Sequence, residues 1–185
     1  MELLRAGVIS GGIMSASDVL AQTITTSSFA NERFDLRRTL RFFLLGLTAD
    51  GPFWHIGFGL VERVCGQSID LVTGTVSWHV LAKKTLFAQF LLNPPYLVVL
   101  FIYLGVLEGK RTMRSLAVHV AAQVPPAFRD GMIFWSIANA VNFRFVRPGS
   151  RVLFSGVAGA LWSTYFSWLT KRVNDKLNTK CEERV

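Results

Sequence analysis

A run of twenty residues, Phe42 to Val61, contains one formal charge, Asp50, and is flanked by Arg41 and Glu62. A helix rises about 1.5 Å per residue, so this run spans roughly 30 Å, the thickness of bilayer hydrocarbon. An ionisable side chain at that depth is costly and faces protein or water rather than lipid. The run therefore predicts a membrane-spanning helix with a polar spot in its interior.

The composition agrees with a membrane protein of one domain. The 185 residues are 51% hydrophobic and 17% charged, whereas soluble domains carry about 25% charged residues. The net charge of +8 is spread over loops and tail, which predicts Lys and Arg beside anionic lipid rather than a nucleic-acid surface. Cys65 and Cys181 are far apart and lack CxxC spacing, which excludes a disulfide framework and a thiolate metal site. We expect no metal and no cofactor.

Three further stretches have the length of a span. Residues 6–26 carry one charge, Asp18, and place Gly7 and Gly11 in GxxxG spacing, which is typical of helices packed closely in lipid. Residues 85–107 are uncharged, and residues 152–170 are uncharged with a seam of small residues. We therefore predict an all-α membrane protein with small-residue helix packing and four transmembrane helices, at about 6–26, 42–61, 85–107 and 152–170.

A short extra hydrophobic segment lies before the last span. Residues 115–124 are too few to cross a bilayer, so we expect them at the interface, ending at Pro125-Pro126. Residues 128–146 form a fifth segment that either spans or half-spans. Residues 1–172 are predicted to form one transmembrane domain, and residues 173–185 a polar C-terminal tail.

Prolines interrupt two of the predicted spans. Pro52 lacks a backbone donor and crowds the preceding turn, so we expect a bend there. Pro94 and Pro95 leave carbonyls near Phe90 and Leu91 without backbone donors. The segment is then either a kinked helix satisfied by its neighbours or a broken helix lining a cavity.

Polar residues inside the spans are the candidates for function. Asp50 is either a charged constriction in a pore or a structural carboxylate that is paired with Arg38, Arg41 or Arg151 or caps the Pro52 bend. His55 lies about 140° from it around a helix, so the two need not face the same side. The candidates for pore or intramembrane polar positions are Asp18, Gln22, Asp50, Pro52, His55, Pro94 and Asn142.

Other polar residues fall on helical stripes. Asp18 and Gln22 are one turn apart and share a face, so they either line a cavity or bond between helices. Trp135, Asn139 and Asn142 form one stripe, where two amides suit interhelical bonding more than a solute site. The chain has no HExxH, GxSxG or Walker motif, so we do not expect an enzyme.

Five blocks, in order, resemble the Mpv-seventeen / peroxisomal membrane protein of twenty-two kilodaltons family over about residues 6–172. One departure is Ala88, which stands where the family has Asp before Gln and so removes an intramembrane carboxylate. The blocks are Ser17-Asp18-Val19-Leu20-Ala21-Gln22; Arg38-Thr39 through Gly46, Gly51-Pro52, His55 and Leu60; Lys83-Lys84 to Gln89 and Pro94; Trp135, Asn142-Phe143 and Val146; and Arg151 with Trp162 to Trp168.

The resemblance implies an organellar membrane protein, in the mitochondrial inner membrane or alternatively the peroxisomal membrane. It further implies a weakly selective channel for small solutes or metabolites. Our hypothesis from the residues is that Asp18, Asp50 and His55 set the polarity of such a channel. The partners implied are the lipid bilayer, solutes and a possible homo-oligomer, but no nucleic acid. The alternative is a non-conducting structural or assembly subunit. The two differ in whether Asp18 and Asp50 face an aqueous cavity or are fully paired.

Overall fold

A computed structural model of the chain describes residues 1–28, 34–66, 77–107, 109–110 and 112–162, without the side chains of 24–28. Within these residues the secondary structure is entirely helical, which confirms the all-α class. The helices are α1 (Glu2–Ser28), α2 (Leu36–Leu45), α3 (Gly51–Cys65), α4 (Trp78–Phe87), α5 (Asn93–Leu107), α6 (Met113–Phe145) and α7 (151–162), with π turns at Gly46–Asp50 and Ala88–Leu92 and a 3₁₀ turn at Pro148–Ser150.

Helix α1 lies against the α2–α3 segment with backbone touching backbone. A Cβ atom added to Gly7 would lie 2.5 Å from the Leu47 carbonyl oxygen, and one added to Gly51 would lie 2.5 Å from the Ala6 carbonyl oxygen. Gly11 lies close to Phe43 in the same way, where an added Cβ would be 2.8 Å from the carbonyl oxygen. The small residues of the GxxxG spacing therefore permit this close approach, as the sequence predicted.

The first π turn joins α2 and α3 into one helical segment over 36–65. Gly46 and Gly51 both have right-handed helical dihedrals, and the Gly51 N–H donates to the Gly46 carbonyl, five residues earlier. A π turn inserts one residue into the helix, so the distortion predicted at Pro52 is absorbed there. The segment begins before the predicted residue 42 because the Asp35 side chain caps α2, accepting from Arg37 N and Arg38 N.

The second π turn joins α4 and α5 in the same way. The Asn93 N–H donates to the Ala88 carbonyl, and Pro94 follows at the second position of α5. The helix is continuous from Trp78 to Leu107. Of the two alternatives at Pro94-Pro95, the structure therefore has the distorted, continuous helix and not the broken one.

The predicted division of residues 113–145 at Pro125-Pro126 was wrong. The segment is one helix, α6, of 33 residues, with Pro125 and Pro126 inside it. The 115–124 stretch does not end at the prolines, and 128–146 is mainly the second half of α6. Prolines remove donors but keep a helical φ. Packing against the α4–α5 segment supports both halves, with Phe128 against Phe90 of the second π turn and His119 against Gly105 of α5.

The helices form an up-and-down bundle. Contacts run antiparallel between α5 and α6, and again between α6 and α7, where Phe134 packs on Trp162 at a ring distance of 4.9 Å. Of the predicted last span, residues 152–162 are helical; the rest of it and the tail 173–185 lie outside the described residues. The core groups buried side chains of α1, α3, α4, α6, α7 and the second π turn: Ala6, Trp54, Phe58, Val61, Leu81, Ala88, Leu92, Phe143 and Val152.

Two helical stretches among the described residues are long and apolar enough to cross a membrane, Glu2–Thr23 and Trp78–Leu107. Only 28% and 22% of their most apolar windows are buried inside the bundle. Their apolar side chains therefore face outward, as bilayer contact requires.

Candidate functional site

The first polar cluster joins three helical segments at Asp50. This carboxylate is buried at the end of the first π turn and accepts hydrogen bonds from the Ser10 hydroxyl of α1 and, at 2.5 Å, from the Tyr96 hydroxyl of α5. Its side chain does not cap α3. Of the alternatives for Asp50, neither pairing with an arginine nor capping of the Pro52 bend is observed among the described residues: hydroxyl groups hold this carboxylate.

The second polar cluster ties the end of α1 to the start of α2. Asp18 lies 2.7 Å from Arg38 Nε and accepts from Thr39 Oγ1 at 2.8 Å and from Gln22 Nε2 at 2.7 Å. The side-chain amide oxygen of Gln22, Oε1, accepts from the backbone N–H of Asp35 at 2.7 Å. Asp18 and Gln22 thus bond between helices, which was one of the two alternatives for this pair.

The third polar cluster, Glu62–Lys84–Arg151, joins α3, α4 and α7. Lys84 Nζ lies 2.5 Å from Glu62 Oε2, and Arg151 Nη1 lies 3.0 Å from the same oxygen. Both cations are buried, and the Phe143 ring lies 6.0 Å from Lys84 Nζ and 5.1 Å from the Arg151 guanidinium. Two cationic side chains therefore share one carboxylate.

Glu62 lies just beyond the predicted 42–61 span and remains ionised. Burial alone would raise the pKa of the Glu62 carboxyl, but hydrogen bonds and charge from Arg151 and Lys84 outweigh burial and hold the pKa below its ordinary value. Sequence reasoning missed this cluster. The sequence did contain a signal for it, because each member is the residue directly outside a predicted span. Antiparallel neighbouring spans bring such residues together at one end of the bundle.

A polar face on α4 and α5 connects the first and third clusters. It consists of Lys84, Gln89, Asn93 and Tyr96, of which the first three are buried and Tyr96 is half-buried. Twelve residues separate Lys84 from Tyr96, or about 18 Å along a helix. Lys84 belongs to the third cluster and Tyr96 to the first, so this polar face crosses the interior between them.

The remaining predicted residues are placed as follows. Asn142 of α6 is buried and donates to Ser155 Oγ of α7 at 3.1 Å, so it bonds between helices as its stripe predicted. His55 is half-buried, and Asp50 is held by Ser10 and Tyr96 rather than by His55. Pro52 and Pro94 each follow a π turn. No group of three His, Cys, Asp or Glu among the described residues could hold a metal ion.

The geometry defines a class: a helical membrane protein whose helices pack through glycine contacts and buried polar clusters. The family model described as Mpv17 / PMP22 family matches residues 105–167. Peroxisomal membrane protein 2 of Bos taurus is 26% identical over 172 residues, covering 91% of this chain and 83% of the relative. The mitochondrial inner membrane protein Mpv17 of Drosophila melanogaster is 25% identical over 166 residues, covering 90% and 94%.

A third relative, protein SYM1 of Saccharomyces cerevisiae, is 22% identical over 173 residues, covering 91% of this chain and 84% of the relative. No solved structure matches the chain. These matches support the resemblance to the Mpv17 / PMP22 family that the motifs indicated. The names of the relatives confirm the expected location, an organellar membrane: the mitochondrial inner membrane, with the peroxisomal membrane as the alternative.

Proposed function

We propose that this protein crosses its membrane at about 6–26, 42–61, 85–107 and 152–170, with α6 returning across it between the last two, and acts as a weakly selective channel for small solutes that supports mitochondrial or peroxisomal homeostasis. The role is transport rather than catalysis. The observation that carries the proposal is the buried polar face of Lys84, Gln89, Asn93 and Tyr96. Polar side chains inside a membrane bundle are costly and mark paths for solutes or ions.

The proposed solute path does not run past the carboxylates of Asp18 and Asp50. Asp18 and Asp50 are both hydrogen-bonded between helices, so their first role is to hold the bundle together. The path lies instead beside α4 and α5. The cations at one end of it are countered by Glu62, which suits uncharged or weakly charged solutes rather than a strongly selective ion pore.

The test is solute flux into liposomes that contain the purified protein. Glycerol entry after osmotic shrinkage is expected to exceed that of protein-free liposomes. Asn93→Leu, on the buried polar face, should lower the entry rate at least fivefold. Leu86→Ala is the matched control, because Leu86 lies on the same helical segment with 56% of its surface exposed. Wild-type liposomes that admit glycerol no faster than empty ones would refute the channel.

The second candidate is a non-conducting structural or assembly subunit. The bonded state of Asp18 and Asp50 favours it, because buried polar residues that only join helices need no aqueous path. Native-membrane purification distinguishes the two. A subunit is expected to leave the membrane in a stable complex with other proteins, whereas a channel is expected alone or as copies of itself.

A further inference from the structure

A groove of about 600 Å³, the α5–α6 groove, lies where the chain turns from α5 into α6. Its lining begins at Lys110 in the turn and continues along the first turns of α6, through Arg114, Ser115, Val118 and Ala122. Ser115, Val118 and Ala122 are three and four residues apart, so they lie along one face of the helix. The groove therefore follows α6, with the turn at one end.

The end of the groove beside the turn is cationic. Lys110 and Arg114 line it, and no carboxylate of the described residues does. Arg114 is exposed and forms no ion pair with the described residues. The hydroxyls of Thr112 and Ser115 bond within the turn, because Ser115 Oγ donates to the Thr112 carbonyl at 2.8 Å and Thr112 Oγ1 accepts from the Ser115 N–H at 3.2 Å. Recognition at this end therefore depends on the two cations and favours an anion.

The rest of the groove is apolar. Val118 has 63% of its surface exposed, and Ala122 is exposed one turn further along α6. His119 closes one side by packing against Gly105 of α5, where an added Cβ atom would lie 3.1 Å from His119 Cδ2. Eight residues separate Arg114 from Ala122, or about 12 Å along a helix. The groove thus matches a molecule with an anionic end and an apolar chain.

The position of the groove along the bundle indicates where that molecule comes from. The α4–α5 segment, which is long and apolar enough to cross a membrane, ends three residues before Lys110. Helix α6 then runs back beside it. Lys110 and Arg114 therefore lie at the level of the lipid headgroups, whereas Val118 and Ala122 lie deeper, beside the acyl chains. A dissolved anion would use only the cationic end, but a phospholipid uses both.

We propose that the α5–α6 groove holds one anionic phospholipid from the bilayer. Its phosphate contacts Lys110 and Arg114, and one acyl chain lies along Val118 and Ala122. The proposal rests on the proposed passage of α6 through the membrane, but not on conduction. The bound lipid fastens the turn between α5 and α6 to one surface of the membrane.

The first experiment measures whether the anionic headgroup is recognised. Full-length protein in detergent is titrated with dioleoylphosphatidylglycerol or dioleoylphosphatidylcholine, and the bound lipid is counted by native mass spectrometry. Wild type should bind phosphatidylglycerol at least fivefold more tightly than phosphatidylcholine, and Arg114→Gln should lose at least fivefold in affinity for phosphatidylglycerol. Arg63→Gln is the matched control, because Arg63 is also exposed but follows Glu62 at the opposite end of the bundle. Equal affinities for the two lipids, or equal losses in the two variants, would overturn the proposal.

The second experiment separates a phospholipid from a dissolved anion. Val118→Trp places a large side chain in the apolar part of the groove. Leu161→Trp is its control, because Leu161 is exposed to a similar degree, 65%, on α7. Val118→Trp should weaken phosphatidylglycerol binding at least fivefold, Leu161→Trp should not, and inorganic phosphate should not displace the lipid. Displacement by phosphate, or unchanged binding to Val118→Trp, would mean that the cations take a dissolved anion and that no lipid occupies the groove.

The lipid site and the channel can fail separately. If wild-type liposomes admit no glycerol while phosphatidylglycerol binding still depends on Arg114 and Val118, the channel fails and the lipid site stands. If glycerol enters while neither variant changes lipid binding, the lipid site fails and the channel stands.

Discussion

Replacing Gly51 with alanine tests the helix contact on which the bundle depends. The new Cβ would lie 2.5 Å from the Ala6 carbonyl oxygen and 2.6 Å from Gly7 Cα, whereas ordinary contact is 3.4–4 Å. Both obstacles are backbone atoms, so no side chain can turn away and α1 must move by about 1 Å. Overpacking of this kind costs about 1–3 kcal/mol. For a chain of this length, each kcal/mol lowers the unfolding temperature by about 2–4 °C.

The assay is thermal unfolding in detergent, followed by tryptophan fluorescence. Gly59→Ala is the matched control, because Gly59 lies on the same helix and nothing approaches its added Cβ within 4 Å. That control should be neutral or stabilising by up to about 1 kcal/mol, the helix-propensity difference between glycine and alanine. Since the same propensity gain applies at both positions, the comparison isolates the steric cost. If Gly51→Ala unfolds at the temperature of Gly59→Ala, the close packing of α1 is refuted.

Two further predictions concern the polar clusters. Glu62→Gln leaves Lys84 and Arg151 without their carboxylate. The free energy of unfolding should fall by an amount that approaches, but does not exceed, the about 3–5 kcal/mol typical of a fully buried pair, because the Glu62 side chain is 28% exposed. Asp130→Asn, in an exposed pair with Arg129, should cost about 1 kcal/mol or less. Because the pKa of Glu62 is lowered on folding, its stabilisation is complete above the ordinary carboxyl pKa and is lost as the pH falls through the folded value. Denaturant midpoints measured against pH should show this acid loss in wild type and less of it in Glu62→Gln; identical profiles would contradict the assignment. Tyr96→Phe removes the 2.5 Å hydrogen bond to Asp50 and should cost about 1–3 kcal/mol, whereas Tyr103→Phe, with only a 3.4 Å bond to the Arg41 carbonyl, should cost less than about 1 kcal/mol by thermal unfolding.

The sequence predicted what depends on composition and spacing. Helical periodicity and uncharged length identified the segments, and the GxxxG spacing of Gly7 and Gly11 identified the closest helix contact. The division of 113–145 at Pro125-Pro126 failed because local rules treat paired prolines as an end. Contacts from the α4–α5 segment, which lies elsewhere in the sequence, support both halves of this one helix.

The hydrogen-bond and ion-pair partners of the polar residues could not be predicted from the sequence, because they depend on how the helices pack. The sequence left Asp50 either as a charged constriction in a pore or as a carboxylate that pairs with an arginine or caps the Pro52 bend. Only the packed helices show that Ser10 and Tyr96 bond to it. The pairing of Glu62 with Lys84 and Arg151 depends on three helices ending at one level, which no single helix encodes. Burial of Gln89 depends on the π turn, which repositions the residues before Pro94, and sequence periodicity assumes a regular helix.

The two π turns share the same local pattern. Each precedes a proline, and each contains a buried polar side chain, Asp50 in the first and Gln89 in the second. Asp50 and Glu62 are separated by 62 − 50 = 12 residues, and Lys84 and Tyr96 by 96 − 84 = 12 residues. Since these segments run antiparallel and are bonded at both Glu62–Lys84 and Asp50–Tyr96, equal spacing fixes their register at two points. The polar face is thereby held between the Asp50 and Glu62 clusters, where the Gln89 amide is buried without a protein partner.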